Sequence, residues 1–490
     1  MKTHSIQAKI LSVLLLLSIC LASFSACGGG SGKTSDTTAG NGAGADNAAE
    51  STDSELKPDL PDVNYNGYEF RLLNGNTSTW MTIFKVTAEA ETGDTLVDSI
   101  FRRNMNVEDK YGVKISEISS KSAKSDVHKS ILADDNAFDI SLMIMADAFA
   151  TALAALSVDY DDIPYVDVDK PWWVQNSIRD LSINHHVYFA VSTFDTTHYD
   201  GARTLFFNKK LMSDFKLGDI YGMVDEGKWT IDAFGGMCSA VAADLNGDGK
   251  WNAGDRYGYT SYEGMNGQTF LAGIDAKASL SKDADDLPFF NLDNEEYHTK
   301  FAKLASVLND TPGAKNPLGD AATHGDVDAF LSDYALFYIE CLANCKHLRT
   351  METDFGIIPP PKYDEAQEEY MSLAGNPYFM CVPITSTDLE RTGVIMEALA
   401  YESIGTVAVA FYDVLLMGKV TRDNASEKML DLIFNSLSFF HPLCLDSLHT
   451  KLITMVDRNQ TDLASFFAAN TEIIQKEIDT AIETYKSKLA

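Results

Sequence analysis

Ala137-Phe138-Asp139-Ile140-Ser141-Leu142-Met143-Ile144-Met145 is the stretch on which the fold turns. Its apolar residues run nearly unbroken instead of alternating, the pattern of a strand covered on both faces in a parallel sheet. Ala148 to Leu156 follows at once with helical spacing, so the unit reads as strand, then helix. Upstream, Tyr68-Glu69-Phe70-Arg71-Leu72-Leu73 predicts a first strand, ended by Asn74-Gly75-Asn76. Asp94 opens a helical pattern that runs through Lys110, Gly112 stops it, and Val113-Lys114-Ile115 starts a second strand. Downstream, Val187 to Val191 predicts a strand, and Leu205-Phe206-Phe207 a short one that leads through Asn208-Lys209-Lys210 into a helix. Trp229-Thr230 begins a helix reaching about Ala243, with Trp229 packing at its start, and Tyr257-Gly258-Tyr259 returns to strand. This alternation predicts an α/β architecture. The C-terminal third is helical: Arg391–Glu402, Val407–Leu416, Ser426–Phe434 and Leu463–Lys488 all carry the helical period.

The N-terminus obeys a different logic. Lys2 and Lys9, with no acid nearby, precede an apolar run from Ile10 to Ala26 that ends in small residues. That is the order of an export signal, and the run is short for a free-standing membrane span, which needs about 20 apolar residues. Phe24-Ser25-Ala26-Cys27 resembles a bacterial lipobox, in which the chain is cut just before a cysteine that carries lipid. Phe24 departs from the usual leucine there, and Cys20 competes poorly because bulky Ile19 precedes it. The alternative is an uncleaved signal anchor with an ordinary Cys27. Residues 1–26 are read as signal peptide and 27–61 as tether, because Gly28 to about Asp62 has too few large apolar residues to offset chain entropy. Gly32-Lys33-Thr34 imitates the tail of a phosphate loop, but Cys27 stands where the loop needs glycine, so a nucleotide site is rejected.

Composition narrows the partners. The formal charge is −32, and loss of Lys2 and Lys9 with the signal moves it to −34. Such a body repels nucleic acid and anionic lipid surfaces. Beyond Cys27 lie Cys238, Cys341, Cys345, Cys381 and Cys444, an odd number in apolar settings, read as buried thiols. Asp147 and Asp413 interrupt the two longest later apolar stretches, which are core segments on this reading. His185 and His186 fall in a turn and read as solvated.

The sharpest local signal is Asp244-Leu245-Asn246-Gly247-Asp248-Gly249-Lys250-Trp251-Asn252-Ala253-Gly254-Asp255. Asp244, Asn246, Asp248, Asn252 and Asp255 occupy the side-chain ligand positions of an EF-hand-type loop, Lys250 offers its carbonyl, and Gly249 takes the sharp turn. Asp255 replaces the usual long glutamate. The loop is expected to hold a structural Ca²⁺ under Trp251; a polar turn between helix and strand is the alternative.

Several passages, taken in order, resemble the family-1 extracellular solute-binding lipoproteins of bacterial carbohydrate ABC transporters. They are Phe138-Asp139-Ile140; Asp161-Asp162-Ile163-Pro164-Tyr165 with Lys170-Pro171-Trp172-Trp173; Tyr188-Phe189-Ala190-Val191; Leu205-Phe206-Phe207-Asn208-Lys209; Gly227-Lys228-Trp229-Thr230; the loop above with Asp255-Arg256-Tyr257-Gly258; and Asp354-Phe355-Gly356-Ile357-Ile358-Pro359. The resemblance covers about Val63 to the C-terminus. It implies a two-lobed, type II periplasmic-binding-protein-like α/β fold with hinge crossovers and a helical C-terminal third. Lobe I would take 62–194 plus about 372–410, and lobe II about 195–371 plus 411–490. It also implies a monomer, lipid-anchored outside the cytoplasm, that closes on a solute, a sugar or oligosaccharide, and docks on an ABC permease.

A sugar cleft needs aromatic platforms and polar side chains for the hydroxyl rim. The candidates are Trp80 after the first strand, Asp147 after the buried strand, the adjacent Trp172 and Trp173, of which one would face the cleft, then Asp195, His198 and Tyr199 after the first crossover, and Asn376 and Tyr378 before the next. No catalytic residue is expected. Two rivals stand beside this reading. A secreted carbohydrate-active enzyme needs two carboxylates about 5–9 Å apart across a sugar bond, and an adhesion lipoprotein would show no ligand-driven compaction.

Overall fold

The computed structural model describes residues 57–77, 81–82, 85–262, 264–275, 280–315, 325–417 and 424–487. The signal, Cys27 and most of the tether lie outside the described residues, as does Trp80.

Two four-stranded sheets organise the chain. The first has the order β11-β3-β1-β2, built from β1 (Tyr68–Asn74), β2 (Val113–Ser119), β3 (Ile140–Ile144) and β11 (Tyr378–Cys381). β1 runs parallel to β2 and β3, and β11 closes the edge antiparallel to β3. The second has the order β5-β8-β4-β9, from β4 (Arg203–Asn208), β5 (Tyr257–Thr260), β8 (Ala335–Cys341) and β9 (Phe355–Ile358). Four two-residue strands complete the set: β6 (Ser281–Lys282) with β7 (Pro288–Phe289), and β10 (Ser372–Leu373) with β12 (Leu437–Ser438). The expected α/β two-lobed fold is present.

Local chemistry sets the element ends. Asp94 caps the helix Thr95–Tyr111 by accepting from the N–H groups of Leu96 and Val97. Gly112, at φ 60°, ends that helix in the left-handed conformation that glycine adopts without strain. Thr230 caps Ile231–Val241, and Asn208 caps Lys209–Asp214. Trp229 is fully buried, its indole N–H donating to the Pro359 carbonyl at 3.0 Å, so it is a packing residue as expected.

Alternation along β1 divides the core. Phe70 and Leu72 face one side with Ile140 and Leu142, and there they meet the helices Thr95–Tyr111 and Leu389–Ser403. Leu73 faces the other side, where Met143 and Phe379 join a cluster that continues into the second sheet. All five described cysteines are free and buried. One helical stretch among the described residues, Leu389–Val414, is long and apolar enough to cross a membrane, and 61% of its 18-residue apolar window is buried in the protein.

Two expectations needed revision. Val187–Val191 is not a ladder strand. Its backbone is shared among separate partners: Ala190 pairs with Met380, Val187 O accepts from Tyr160 N, and Val191 O from Val174 N. In the C-terminal third the four expected helices are present as Leu389–Ser403, Val409–Met417, Asn424–Asn435 and Leu463–Ser487. Between them the sequence reading missed the helix Thr450–Asp457 and two π-helical turns, Ile404–Ala408 and Leu445–His449.

Candidate functional site

The chain crosses between the sheets three times: between Ser192 and Arg203, between Ile358 and Tyr378, and from Leu389–Ser403 through the π-turn Ile404–Ala408 toward the helix Asn424–Asn435, which packs on β9. The first two crossings touch backbone to backbone. Gly375 N donates to Gly201 O at 2.9 Å, and a Cβ on Gly201 would come within 1.9 Å of the Gly375 carbonyl. Beside them Asp195 accepts from the N–H and hydroxyl of Thr197, whose hydroxyl oxygen accepts from Tyr378 N at 3.0 Å. Burial pushes the Asp195 carboxyl up to about 6, opposed by those hydrogen bonds and by Arg103. Arg103 is wholly enclosed. Its guanidinium donates to the carbonyls of Val86 and Phe194 at 2.7 Å each and lies 4.3 Å over the Phe194 ring.

In open α/β sheets ligands bind beyond the C-terminal ends of strands. Here the chain leaving β1 and the chain leaving β8 meet along one seam. Thr82 donates from its N–H at 2.8 Å and its hydroxyl at 2.6 Å to the two oxygens of Asp200, which is fully buried. A cavity of about 20 Å³ remains there, lined by Thr82, Ala343, Cys345, Lys346, Arg349, Phe411 and Val414. That admits roughly one water molecule, not a sugar. Two bases and an aromatic ring thus line a shut space next to the bonded Asp200 carboxylate.

A larger groove of about 1080 Å³ opens elsewhere, between the helix Gln175–Leu181 and a wall formed by Glu295, Lys300, Tyr363, Glu368, Glu369 and Tyr370. It has room for a small solute, but its walls are helix faces and a connecting loop. Its strand-end position makes the shut seam the stronger candidate site.

The sequence candidates divide accordingly. Asp195, His198, Tyr199, Asn376 and Tyr378 gather at the crossings. His198 is fully buried, and neither ring nitrogen has a hydrogen-bond partner. Burial lowers it to about 3, so it is a neutral packing group. Its ring lies 3.9 Å from Tyr199, which packs on Phe434 at 4.3 Å and on Phe411 at 5.8 Å, and Phe411 lines the seam. Asn376 is exposed at φ 55°, and Tyr378 is buried in β11. Asp147 stands apart in the first turn of Met145–Leu153, paired with Lys124 at 3.0 Å.

Trp172 and Trp173 require correction: neither ring faces a space between the lobes. Both are buried, and their indole N–H groups donate at 2.8 and 2.9 Å to the two oxygens of Glu397. Two adjacent indoles satisfied by one carboxylate form a core cluster. His186 is also corrected. It is not solvated but held against Asp159. Sequence reasoning missed Thr82, Asp200, Lys346, Arg349 and Phe411. The last four had no motif to mark them.

The Asp244–Asp255 loop coils as its glycines demand, with Gly247 at φ 71° and Gly249 at φ 74°. Asp244 accepts from the N–H groups of Gly247 and Gly249, Asn246 from Asp248 N, and Asp248 from Lys250 N. Asn252 reaches Asp248 Oδ2 at 3.3 Å and the Lys250 carbonyl at 3.2 Å. The Asn252 amide thus ties Asp248 to the Lys250 carbonyl within the loop. Asp255 differs: it is fully buried, and its oxygens accept from Leu245 N and Asn252 N. Trp251 covers Gly313 on the flank of the loop.

No family model and no curated relative matches this chain. Solved structures do. The extracellular solute-binding protein of Staphylococcus aureus in complex with maltose aligns at TM-score 0.55 and 11% identity over 87% of this chain and 99% of that one. The sugar-binding protein MalE of Xanthomonas citri aligns at 0.55 and 13% over 85% and 98%. A cyclo/maltodextrin-binding protein complexed with maltotetraose aligns at 0.54 and 12% over 86% and 97%. At such identity the likeness speaks for architecture, and the chain has the two-lobed α/β fold of the type II periplasmic binding proteins.

Proposed function

We propose that this chain is the extracytoplasmic solute-binding component of an ABC transporter, which captures a sugar or oligosaccharide between its lobes without altering it and delivers it to a membrane permease. The observation that carries the reading is the seam: two α/β bodies, three crossings, and Thr82 bonded to Asp200 across strand ends where ligands of such sheets sit. The solved proteins of this fold named above are sugar-binding or bound to maltose or maltotetraose, which supports a carbohydrate guest here. The signal-like N-terminus and Cys27 support a lipid anchor on the outer face of the membrane. Lys346 and Arg349, with Asp200, would meet hydroxyl rims, and Phe411 a sugar face. Titration calorimetry with maltose, maltotetraose and related oligosaccharides tests this, followed by mass spectrometry of the recovered sugar. Saturable binding with intact sugar is expected; cleaved sugar supports an enzyme instead.

The loop Asp244–Asp255 would hold Ca²⁺ through Asp244, Asn246, Asp248, the Lys250 carbonyl and Asn252, with Asp255 closing the loop through its backbone bonds. Bound calcium supplies a positive centre that offsets carboxylate repulsion. A calcium-dependent rise in melting temperature that Asp248→Ala removes is expected; no rise would count against the metal.

A further inference from the structure

We propose that Asp159, Asp161 and His186 form a binding site for a divalent transition metal ion of the zinc class, separate from the Asp244–Asp255 loop and from the seam. Each residue offers one ligand atom, and these atoms lie within 4.8 Å of one another. A zinc-class ion sits about 2.0–2.2 Å from nitrogen and oxygen donors, so three donors this close need only small side-chain adjustments to share one.

Two turns present the ligands. Asp159 caps the short 3₁₀ turn Tyr160–Asp162 and accepts from Asp161 N at 3.3 Å, which places the second carboxylate beside the first. Tyr160 is buried and donates its hydroxyl to the Met380 carbonyl at 2.6 Å, while its N–H donates to Val187 O. The turn is thus tied to the segment that carries the histidine. On that side Ile183 and His186 pair backbone to backbone, with Asn184 and His185 at φ 53° and 63° between them. This tight turn delivers His186 onto Asp159.

The donor set selects the ion. One imidazole with two carboxylates suits zinc, nickel, cobalt or manganese, whereas calcium takes oxygen donors and more of them. Asp159 is buried, His186 half-buried and Asp161 exposed, so the site has an anchored floor and an open side for entry and further ligands. Asp161 separates this reading from a simple His–Asp ion pair, which would not need it.

The site also adjoins a second element of the chain. The His186 turn receives the β6–β7 hairpin: Asn184 N donates to Asp286 O and His185 N to Asp286 Oδ2, both at 3.0 Å, and Lys282 Nζ donates to Ser182 Oγ at 2.9 Å. A bound ion would fix the turn that the hairpin grips.

Co²⁺ titration of the untagged full-length protein, followed by visible absorption, tests the proposal. One equivalent should bind and be displaced by Zn²⁺. Asp161→Asn and His186→Gln should each weaken binding by at least about tenfold, as loss of even an outer ligand partner can, while Asp248→Ala leaves it unchanged. Asp161 is exposed, so its variant reports on the metal even if His186→Gln disturbs the turn. No Co²⁺ uptake by the parent protein, or uptake that neither variant weakens, overturns the proposal.

Discussion

The Glu397 cluster and the Thr82–Asp200 seam hold similar groups and do opposite work. In the first, two tryptophans and a carboxylate are sealed in the core on one face of the first sheet, and both carboxylate oxygens are occupied by the indoles. In the second, two bases and a phenylalanine ring border a small space, and the Asp200 carboxylate bonds to Thr82, which lines that space on the chain leaving β1. Aromatic and acidic residues together do not mark a sugar site. What distinguishes the two regions is whether the carboxylate bonds to indoles within one apolar core or to a hydroxyl and an N–H at the end of the other sheet.

The comparison is most exposed to substitutions at Glu397. Glu397→Ala leaves two buried N–H donors unpaired, at about 1–3 kcal/mol each, so denaturant unfolding should show a loss of several kcal/mol while sugar affinity is retained by the folded fraction. A loss of affinity without loss of stability would make the cluster a binding site after all.

Glu397 also carries a pH signature. Burial raises its carboxyl from 4.5 to about 7, against the lowering effect of the two indole bonds. Below 4.5 both folded and unfolded chains hold the proton. Between 4.5 and 7 the unfolded chain releases it and the folded chain keeps it, so this group's contribution to stability falls as pH rises through that window. The shift corresponds to on the order of 3 kcal/mol. The melting temperature of the parent minus that of Glu397→Gln should therefore be largest near the acidic end of the window and shrink toward its upper end. A constant gap would contradict the burial account.

At the crossings, Gly201 has an ordinary φ of −77°, so its lack of a side chain is required by space alone. Gly201→Ala puts a Cβ against the Gly375 carbonyl and should cost about 1–3 kcal/mol as an overpacking change, with weaker sugar binding because the crossings are forced apart. Unchanged stability and affinity would show that the crossings are loose. The smallest effect belongs to Thr82→Ala, which removes the hydroxyl bond to Asp200 but keeps the N–H bond. A loss of about 0.5–1.5 kcal/mol is expected, read as a larger radius of gyration for the unliganded protein and a severalfold change in affinity.

Much of the architecture was legible because it rests on local rules. Asp94, Gly112, Thr230 and Asn208 mark helix ends through hydrogen bonds made within a few residues, and the apolar run at β3 announces a covered strand. The site was less legible because its contacts are distant in sequence. Thr82 meets Asp200 across 118 residues, and Trp172 meets Glu397 across 225. No spacing rule reports such pairs, so Trp172 and Trp173 read as platforms, and Asp200, two residues beyond His198, went unmarked. The Val187–Val191 segment looked like a strand because its side chains are those of one; its backbone partners, spread over three segments, are invisible in the sequence.

The central claim is that two lobes close on a guest and leave it intact. Small-angle X-ray scattering across a titration with maltotetraose and related oligosaccharides tests it most directly. A radius of gyration that falls to a plateau at one bound sugar per chain, with Asp200→Ala shifted toward the expanded form at every concentration, is the predicted result. An unchanged radius at saturating, calorimetrically confirmed occupancy would contradict it.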